Sequence, residues 1–193
     1  MHIVLIGDSI FDNASYVSKG DSVSDLLRKA VPEAQVTLLA VDGDVTTDVK
    51  NQLRRFPKDA TNVFVSCGGN DALGSINILE REVTSVGEAL QLLYHAREKF
   101  RSNYIEMIKN ITRVSNCVSA CTIYNRIPGL SQSALVGLTI YNEVILEELA
   151  IRKIPVIDLR VICNDASDYS DLSPIEPSKE GGNKIVKALL ASL

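Results

Sequence analysis

Short apolar runs rich in β-branched residues alternate with longer segments of helical periodicity along the whole sequence. The runs that predict strands are His2 to Ile6, Gln35 to Val41, Asn62 to Cys67, Cys117 to Tyr124 and Pro155 to Ile162. The segments that predict helices are Ser22 to Ala30, Thr47 to Arg55, Val83 to Arg113, Ser131 to Arg152 and Ser178 to Leu190. Strands joined by helical crossovers form parallel sheets with right-handed connections. The pattern therefore predicts an α/β fold, a three-layer α/β/α sandwich around a five-stranded parallel sheet of order 2-1-3-4-5.

The predicted strands are almost entirely apolar, which is typical of strands that are buried on both faces of a parallel sheet. With 193 residues and 46% hydrophobic content, the chain is large enough to bury one sizeable core. No repeat, linker or low-complexity tract divides it, so residues 1–193 are expected to form a single domain. Five residues recur at helical spacing in the fourth helical segment and predict a core-facing stripe: Leu135, Leu138, Tyr141, Ile145 and Leu149.

Charge and hydropathy exclude several classes of partner. The 20 basic and 24 acidic residues give a net charge of -4 with no basic stripe, so nucleic acid is not an expected partner. No apolar run approaches the roughly 18 residues of a spanning helix, and Met1 leads almost directly into the first strand. We therefore expect no membrane association and no signal peptide. The four cysteines lie in or beside apolar runs, are expected to be buried thiols, and fit a cytoplasmic location.

Polar side chains follow several of the predicted strands at the same edge of the sheet. The first strand ends in Gly-Asp-Ser, which includes Ser9, and the third ends in Gly-Gly-Asn-Asp, which includes Asn70. The turn-rich segment 164–177 leads from the last strand to the last helix and reaches the same edge. Because open α/β sheets bind ligands at the carboxyl ends of their strands, we expect a hydroxyl and an amide donor to meet there.

These motifs resemble those of the SGNH (GDSL-type) hydrolase family, in the family's order and over nearly the whole chain. The resemblance implies that Ser9 is a nucleophile whose backbone N–H also serves an oxyanion hole. It further implies that Gly43 supplies a backbone N–H and that Asn70 supplies a side-chain N–H. Loss of one such donor typically slows a reaction by roughly 10²–10³.

The last motif departs from the family pattern. The family usually ends in Asp-x-x-His-Pro, in which the histidine is the base, whereas this chain has Ser173-Pro-Ile-Glu176-Pro. The resemblance therefore puts Glu176 in the place of the histidine and Ser173 in the place of the aspartate. An unperturbed glutamate has a pKa of about 4.3 and is a weak base toward a serine hydroxyl unless burial raises that value.

Other side chains are alternative bases or candidate binding groups. His2 begins the first strand, at the opposite end of the sheet from Ser9, whereas His95 is an alternative base on a long helix. Two aspartates of the last loop, Asp168 and Asp171, are further alternatives. The candidate substrate-binding residues are Asp8, Asn13 and Asp71; for Asp8 the alternative is an Asx turn, and for Asn13 it is shaping the loop.

We therefore predict a serine hydrolase that cleaves a small-molecule ester through an acyl-enzyme. Small acyl or acetyl esters are expected because the chain has no room for a lid domain. The alternative is a catalytically impaired binding protein that holds a small carboxylate or anion at the same donors. A flavodoxin-like sheet order can also house a nucleotide, but no glycine-rich nucleotide motif is present. No cofactor and no metal are expected, and the oligomeric state is left open.

Overall fold

The computed structural model describes all residues, Met1–Leu193, and confirms the predicted sheet. Its five parallel strands have the order β2-β1-β3-β4-β5. The strands are β1 (His2–Gly7), β2 (Gln35–Leu38), β3 (Asn62–Ser66), β4 (Val118–Cys121) and β5 (Val156–Ile157). The α-helices are α1 (Val23–Ala30), α2 (Val49–Gln52), α3 (Gly69–Leu73), α4 (Val86–Val114), α5 (Gln132–Arg152), α6 (Leu159–Ile162) and α7 (Lys179–Ala191).

Two hydrophobic clusters cover the two faces of the sheet. On one face, side chains of β1 and β3 pack against helices α4 and α5. On the other face, the alternate side chains of the same strands pack against α1 and α7. Neighbouring residues of β1 divide between them, since Val4 packs in the first cluster and Leu5 in the second. This alternation is the two-residue period of a strand, and it confirms the three-layer arrangement.

Serine side chains begin four of the helices. Ser22, Ser85, Ser131 and Ser178 each accept a hydrogen bond from a backbone N–H in the first turn of α1, α4, α5 and α7. Such caps satisfy donors that a helix leaves free at its start. None of the helices combines the length and the apolar content needed to cross a bilayer.

The edges of the sheet differ from the prediction. The fifth strand ends at Ile157 rather than Ile162, because the Asp158 carboxylate accepts the Arg160 N–H (3.2 Å) and starts helix α6. The edge strand β2 is half-exposed rather than buried on both faces.

Cys117 is exposed, which corrects the expectation of four buried thiols; the other three cysteines are buried.

The carboxyl ends of β1 and β3 lie unusually close together. Gly7 has φ +127°, and a Cβ built there would lie 1.7 Å from the Ser66 carbonyl oxygen. The Asp8 N–H donates to that same oxygen (2.9 Å). Only glycine allows this approach, and the approach fixes where the chain leaves β1 toward Ser9.

Candidate active site

An apolar cavity opens at the carboxyl edge of the sheet and encloses about 1050 Å³, part of it open to solvent. Most of its wall comes from the segments that follow β3 and β4 and from the first half of α5. Six polar residues at or near the strand ends line it: Asp8, Ser9, Ser66, Asn70, Thr122 and Glu176. The cavity therefore combines a polar end at the strand termini with an extended apolar wall.

Ser9 lies in a tight turn directly after β1. The Asp8 carboxylate accepts the Ile10 N–H (3.2 Å), and the Phe11 and Asp12 N–H groups donate to the Asp8 carbonyl (both 3.2 Å). The first of these bonds is the expected Asx turn. The Ser9 N–H donates to no acceptor of the protein. A hydroxyl and a free backbone donor thus stand on one residue at the cavity.

The loop that carries Gly43 is tied to the Gly-Gly-Asn-Asp turn. Asn70 donates from Nδ2 to the Asp44 carbonyl (3.0 Å), and the Asp71 carboxylate accepts both the N–H and the hydroxyl of Thr46 (3.0 and 2.7 Å). The Gly43 N–H, like that of Ser9, has no acceptor in the protein. An amide nitrogen carries two hydrogens, so Asn70 keeps one further donor.

Gln52 completes this connection. Its amide exchanges two hydrogen bonds with the backbone of Gly7 (2.9 and 2.7 Å), and its Nε2 also donates to the Asp44 carboxylate (2.8 Å). The residue is buried and joins the end of β1 to the loop that carries Gly43. Gln52 could not be recognised from the sequence, because a single glutamine in a helical segment has no motif around it.

Glu176 is held beside Ser9 by a loop whose backbone is tied at several points. Its carbonyl accepts the Ser170 N–H (2.8 Å), and its N–H donates to the Ser173 carbonyl (3.0 Å). Tyr124, at the carboxyl end of β4, donates its hydroxyl to the Ile175 carbonyl. Tyr124 was also missed, although its place after a strand is the signal that marked Ser9 and Asn70. The Glu176 side chain is buried, and its Oε2 has no hydrogen-bond partner.

Burial makes the carboxyl groups at this site unusually basic. Loss of hydration raises the pKa of Glu176 to about 7, an effect that the nearby Ser9 hydroxyl partly opposes although the two make no hydrogen bond of standard geometry. Loss of hydration also raises the pKa of Asp8 to about 8, to which the charge of Glu176 contributes. Both carboxyl groups beside Ser9 therefore hold their protons to a higher pH than ordinary carboxyl groups do.

The alternative bases lie elsewhere. His95 is exposed on α4, stacks edge-on against Tyr94 (5.9 Å between ring centroids) and does not line the cavity. Asp171 is exposed, and Asp168 is fully buried in an ion pair with Lys184 (2.8 Å). Glu176 is thus the one of these candidate bases that lines the cavity with Ser9.

The three candidate binding residues are placed differently. Asp8 lines the cavity, whereas Asn13 and Asp71 do not. Asn13 is fully buried; it donates to the Pro177 carbonyl (3.0 Å) and accepts the Val23 N–H (2.9 Å). Both of its polar groups are used inside the protein, so it joins the loop of Ser9 to the loop of Glu176. Asp71 holds the neighbouring loop through Thr46 in the same way.

Comparison with known proteins identifies the family of this chain. A profile of the GDSL-like lipase/acylhydrolase family matches residues 5–182. The chain belongs to this family, and it is a hydrolase that acts on ester bonds. A search of curated protein sequences found no significant match.

Solved structures share the fold over almost their whole length. The lipase Lip_vut3 from a goat rumen metagenome is 18% identical with a TM-score of 0.77, covering 100% of this chain and 97% of that one. The acetyl xylan esterase AlAXEase is 14% identical with a TM-score of 0.74, covering 100% of both chains. A lipase/acylhydrolase from Enterococcus faecalis is 25% identical with a TM-score of 0.65, covering 96% and 93%.

Proposed function

We propose that the protein is a serine hydrolase that cleaves carboxylic esters through an acyl-enzyme on Ser9, with Glu176 as the base. One observation carries this proposal: Ser9 and the buried, unpaired Oε2 of Glu176 belong to the same cavity. The unused N–H groups of Ser9 and Gly43 and the second Nδ2 hydrogen of Asn70 support it, since an oxyanion hole requires donors without partners.

In the first half-reaction the Ser9 oxygen attacks the ester carbonyl carbon while its proton moves to Glu176. The carbonyl oxygen becomes an oxyanion, which accepts hydrogen bonds from Ser9 N–H, Gly43 N–H and Asn70 Nδ2. The intermediate then collapses, the bond to the alcohol oxygen breaks, and Glu176 returns the proton to the departing alkoxide. The products of this half-reaction are a free alcohol and an ester on Ser9.

The second half-reaction repeats these steps with water. Glu176 takes a proton from a water molecule, whose oxygen attacks the acyl carbon under the same three donors. Collapse releases the carboxylic acid and returns the proton to Ser9. Each half-reaction starts from the carboxylate and restores it, so no cofactor is consumed.

The surroundings of Glu176 are what make a carboxylate suitable for this work. General-base catalysis is most effective when the pKa of the base lies near the working pH. The pKa of about 7 gives Glu176 a basicity close to that of an ordinary imidazole, whose pKa is about 6.5.

The cavity favours longer acyl groups than the acetyl or small acyl groups that the length of the polypeptide predicted. Residues that lie well away from Ser9 in the sequence complete its apolar wall, among them Leu79, Leu93, Leu130 and Leu138. Such a wall stabilises methylene groups by about 0.8 kcal/mol each when they leave water. We therefore infer that medium-chain acyl esters are better substrates than acetyl esters.

Hydrolysis of 4-nitrophenyl acetate, butyrate and octanoate tests the proposal. We expect turnover by the parent, background rates for Ser9→Ala, a loss of roughly 10²–10⁴ for Glu176→Gln, and no change for His95→Ala. If the parent does not exceed Ser9→Ala on any of the three esters, the proposed hydrolase activity is wrong. Binding of octanoate to that inactive parent would then favour the alternative of a carboxylate-binding protein.

A further inference from the structure

One residue of the apolar cavity wall has a polar group without a partner. Tyr141 of α5 is 6% exposed, as its place in the helical stripe predicts, and it lines the cavity. Its hydroxyl makes no hydrogen bond with any group of the protein. A buried hydroxyl without a partner is unfavourable. The helical spacing of Tyr141 predicted a core residue and indicated no chemistry for it.

The surroundings of Tyr141 do not supply the missing partner. The Ser75 hydroxyl lies close enough to Tyr141 to oppose in part the rise that burial causes in the pKa of the phenol, but it donates to the Asp71 carbonyl (3.3 Å) and makes no hydrogen bond of standard geometry with Tyr141. Phe100 packs on the ring of Tyr141 with 4.8 Å between centroids. The phenol hydroxyl can therefore still donate and accept a hydrogen bond, and it belongs to a wall that is mostly apolar.

Tyr141 lies close to the turn that carries the proposed oxyanion donor. The Phe100 ring that contacts it also packs on Gly68, where a Cβ would lie 3.0 Å from the ring Cζ. Gly68 begins the turn that continues through Asn70. Only one aromatic ring therefore separates Tyr141 from the polar end of the cavity.

We propose that Tyr141 selects acyl groups that carry an oxygen substituent along an otherwise apolar chain, a hydroxyl or a ketone. This proposal rests on the proposed function, because it concerns the acyl part of the same ester substrate. A phenol can donate to a ketone and can donate to or accept from a hydroxyl, so it recognises both. An unsubstituted chain leaves the phenol without a partner, which is how a buried polar group discriminates against an analogue that lacks the matching group.

The test compares kcat/KM for 4-nitrophenyl octanoate with that for its 3-hydroxy, 5-oxo and 7-oxo derivatives. We expect the parent to prefer at least one oxygenated ester by about fivefold to tenfold, the range of one neutral hydrogen bond. Tyr141→Phe should lose that preference and hydrolyse unsubstituted octanoate at least as well as the parent. Tyr104→Phe is the matched control: Tyr104 is buried against the same Phe100 ring (5.5 Å) but does not line the cavity.

Two outcomes overturn the proposal. One is a parent that prefers none of the oxygenated esters, and the other is a Tyr141→Phe variant that loses activity equally on all four. Binding of octanoic and 7-oxooctanoic acids to Ser9→Ala, measured by calorimetry with and without Tyr141→Phe, separates this proposal from the proposed function. If hydrolysis is absent but Tyr141 still determines which acid binds more tightly, the catalytic proposal fails and the selectivity stands.

Discussion

Glu176 determines the pH dependence of the proposed reaction. Its carboxylate form is the active base and its pKa is raised to about 7, so kcat/KM should rise with pH through that value and level off above it. A glutamate of ordinary pKa would instead give full activity from about pH 5 upward. The measurement is kcat/KM for 4-nitrophenyl butyrate from pH 5 to 9, corrected for spontaneous hydrolysis.

His95→Ala is the control for that profile, because the ordinary pKa of a histidine, about 6.5, falls in the same range. His95 is exposed and does not line the cavity, so its removal should leave the midpoint unchanged. The assignment of Glu176 as the base would be contradicted if the pH profile of kcat/KM lost its midpoint in His95→Ala. A flat profile in the parent would contradict it as well.

Asp8 should make the protein less stable as pH rises. Its folded-state pKa of about 8 exceeds its ordinary value of 3.8, so between these values the folded state binds more protons than the unfolded state. The contribution of Asp8 to the free energy of unfolding is then greatest below about pH 4. It is lost as pH rises toward 8, by at most about 1.4 kcal/mol per pH unit. Asp8→Asn keeps an oxygen for the Ile10 N–H and removes the titration.

Urea denaturation at pH 5 and pH 8 measures this effect. The free energy of unfolding should fall less between the two pH values in Asp8→Asn than in the parent. Asp171→Asn changes an exposed aspartate and should match the parent. An Asp8→Asn variant with the same pH dependence as the parent would show that Asp8 is ionised at neutral pH in the folded protein.

At the scale of elements, the close approach of β1 and β3 is what places Ser9. Gly7→Ala would put a Cβ 1.7 Å from the Ser66 carbonyl oxygen at a φ of +127°. We expect a loss of at least about 3 kcal/mol of stability or no folded protein. Gly87→Ala adds the same methyl in the first turn of α4, where the nearest atom is 3.7 Å away, and should be neutral or stabilising by up to about 1 kcal/mol. Thermal unfolding of both variants gives the comparison, and a Gly7→Ala protein as stable as the parent would contradict it.

The strands and the groups at their ends could be predicted because both depend on local sequence. Apolar runs gave the sheet, and parallel strands bring residues as distant as Ser9 and Asn70 to one edge. The end of β5 was missed because an apolar run continues past Asp158, yet that aspartate starts a helix. Gln52 and Tyr141 act through partners or cavities formed by distant segments, and no local pattern marks such roles.

At the scale of the whole molecule, the cavity should determine which acyl chains react. Gly137 of α5 lines it, and a Cβ built there meets no atom within 4 Å. Gly137→Leu should therefore fill part of the apolar end. We expect kcat/KM for 4-nitrophenyl octanoate to fall at least tenfold while that for acetate changes less than twofold.

Thr139→Leu adds similar bulk on the exposed side of the same helix and should leave both values unchanged. Equal losses on both esters in Gly137→Leu would mean that the cavity does not hold the acyl chain.

Covalent labelling shows whether Ser9 is a nucleophile that Glu176 activates. The parent, Ser9→Ala and Glu176→Gln are treated with a fluorophosphonate at several pH values, and the adduct is followed by intact mass and located by peptide mapping. We predict one adduct, on Ser9, whose rate of formation rises with pH around 7 in the parent and is far slower in Glu176→Gln. An unlabelled parent, an adduct on another residue, or equal rates in the parent and Glu176→Gln would contradict it.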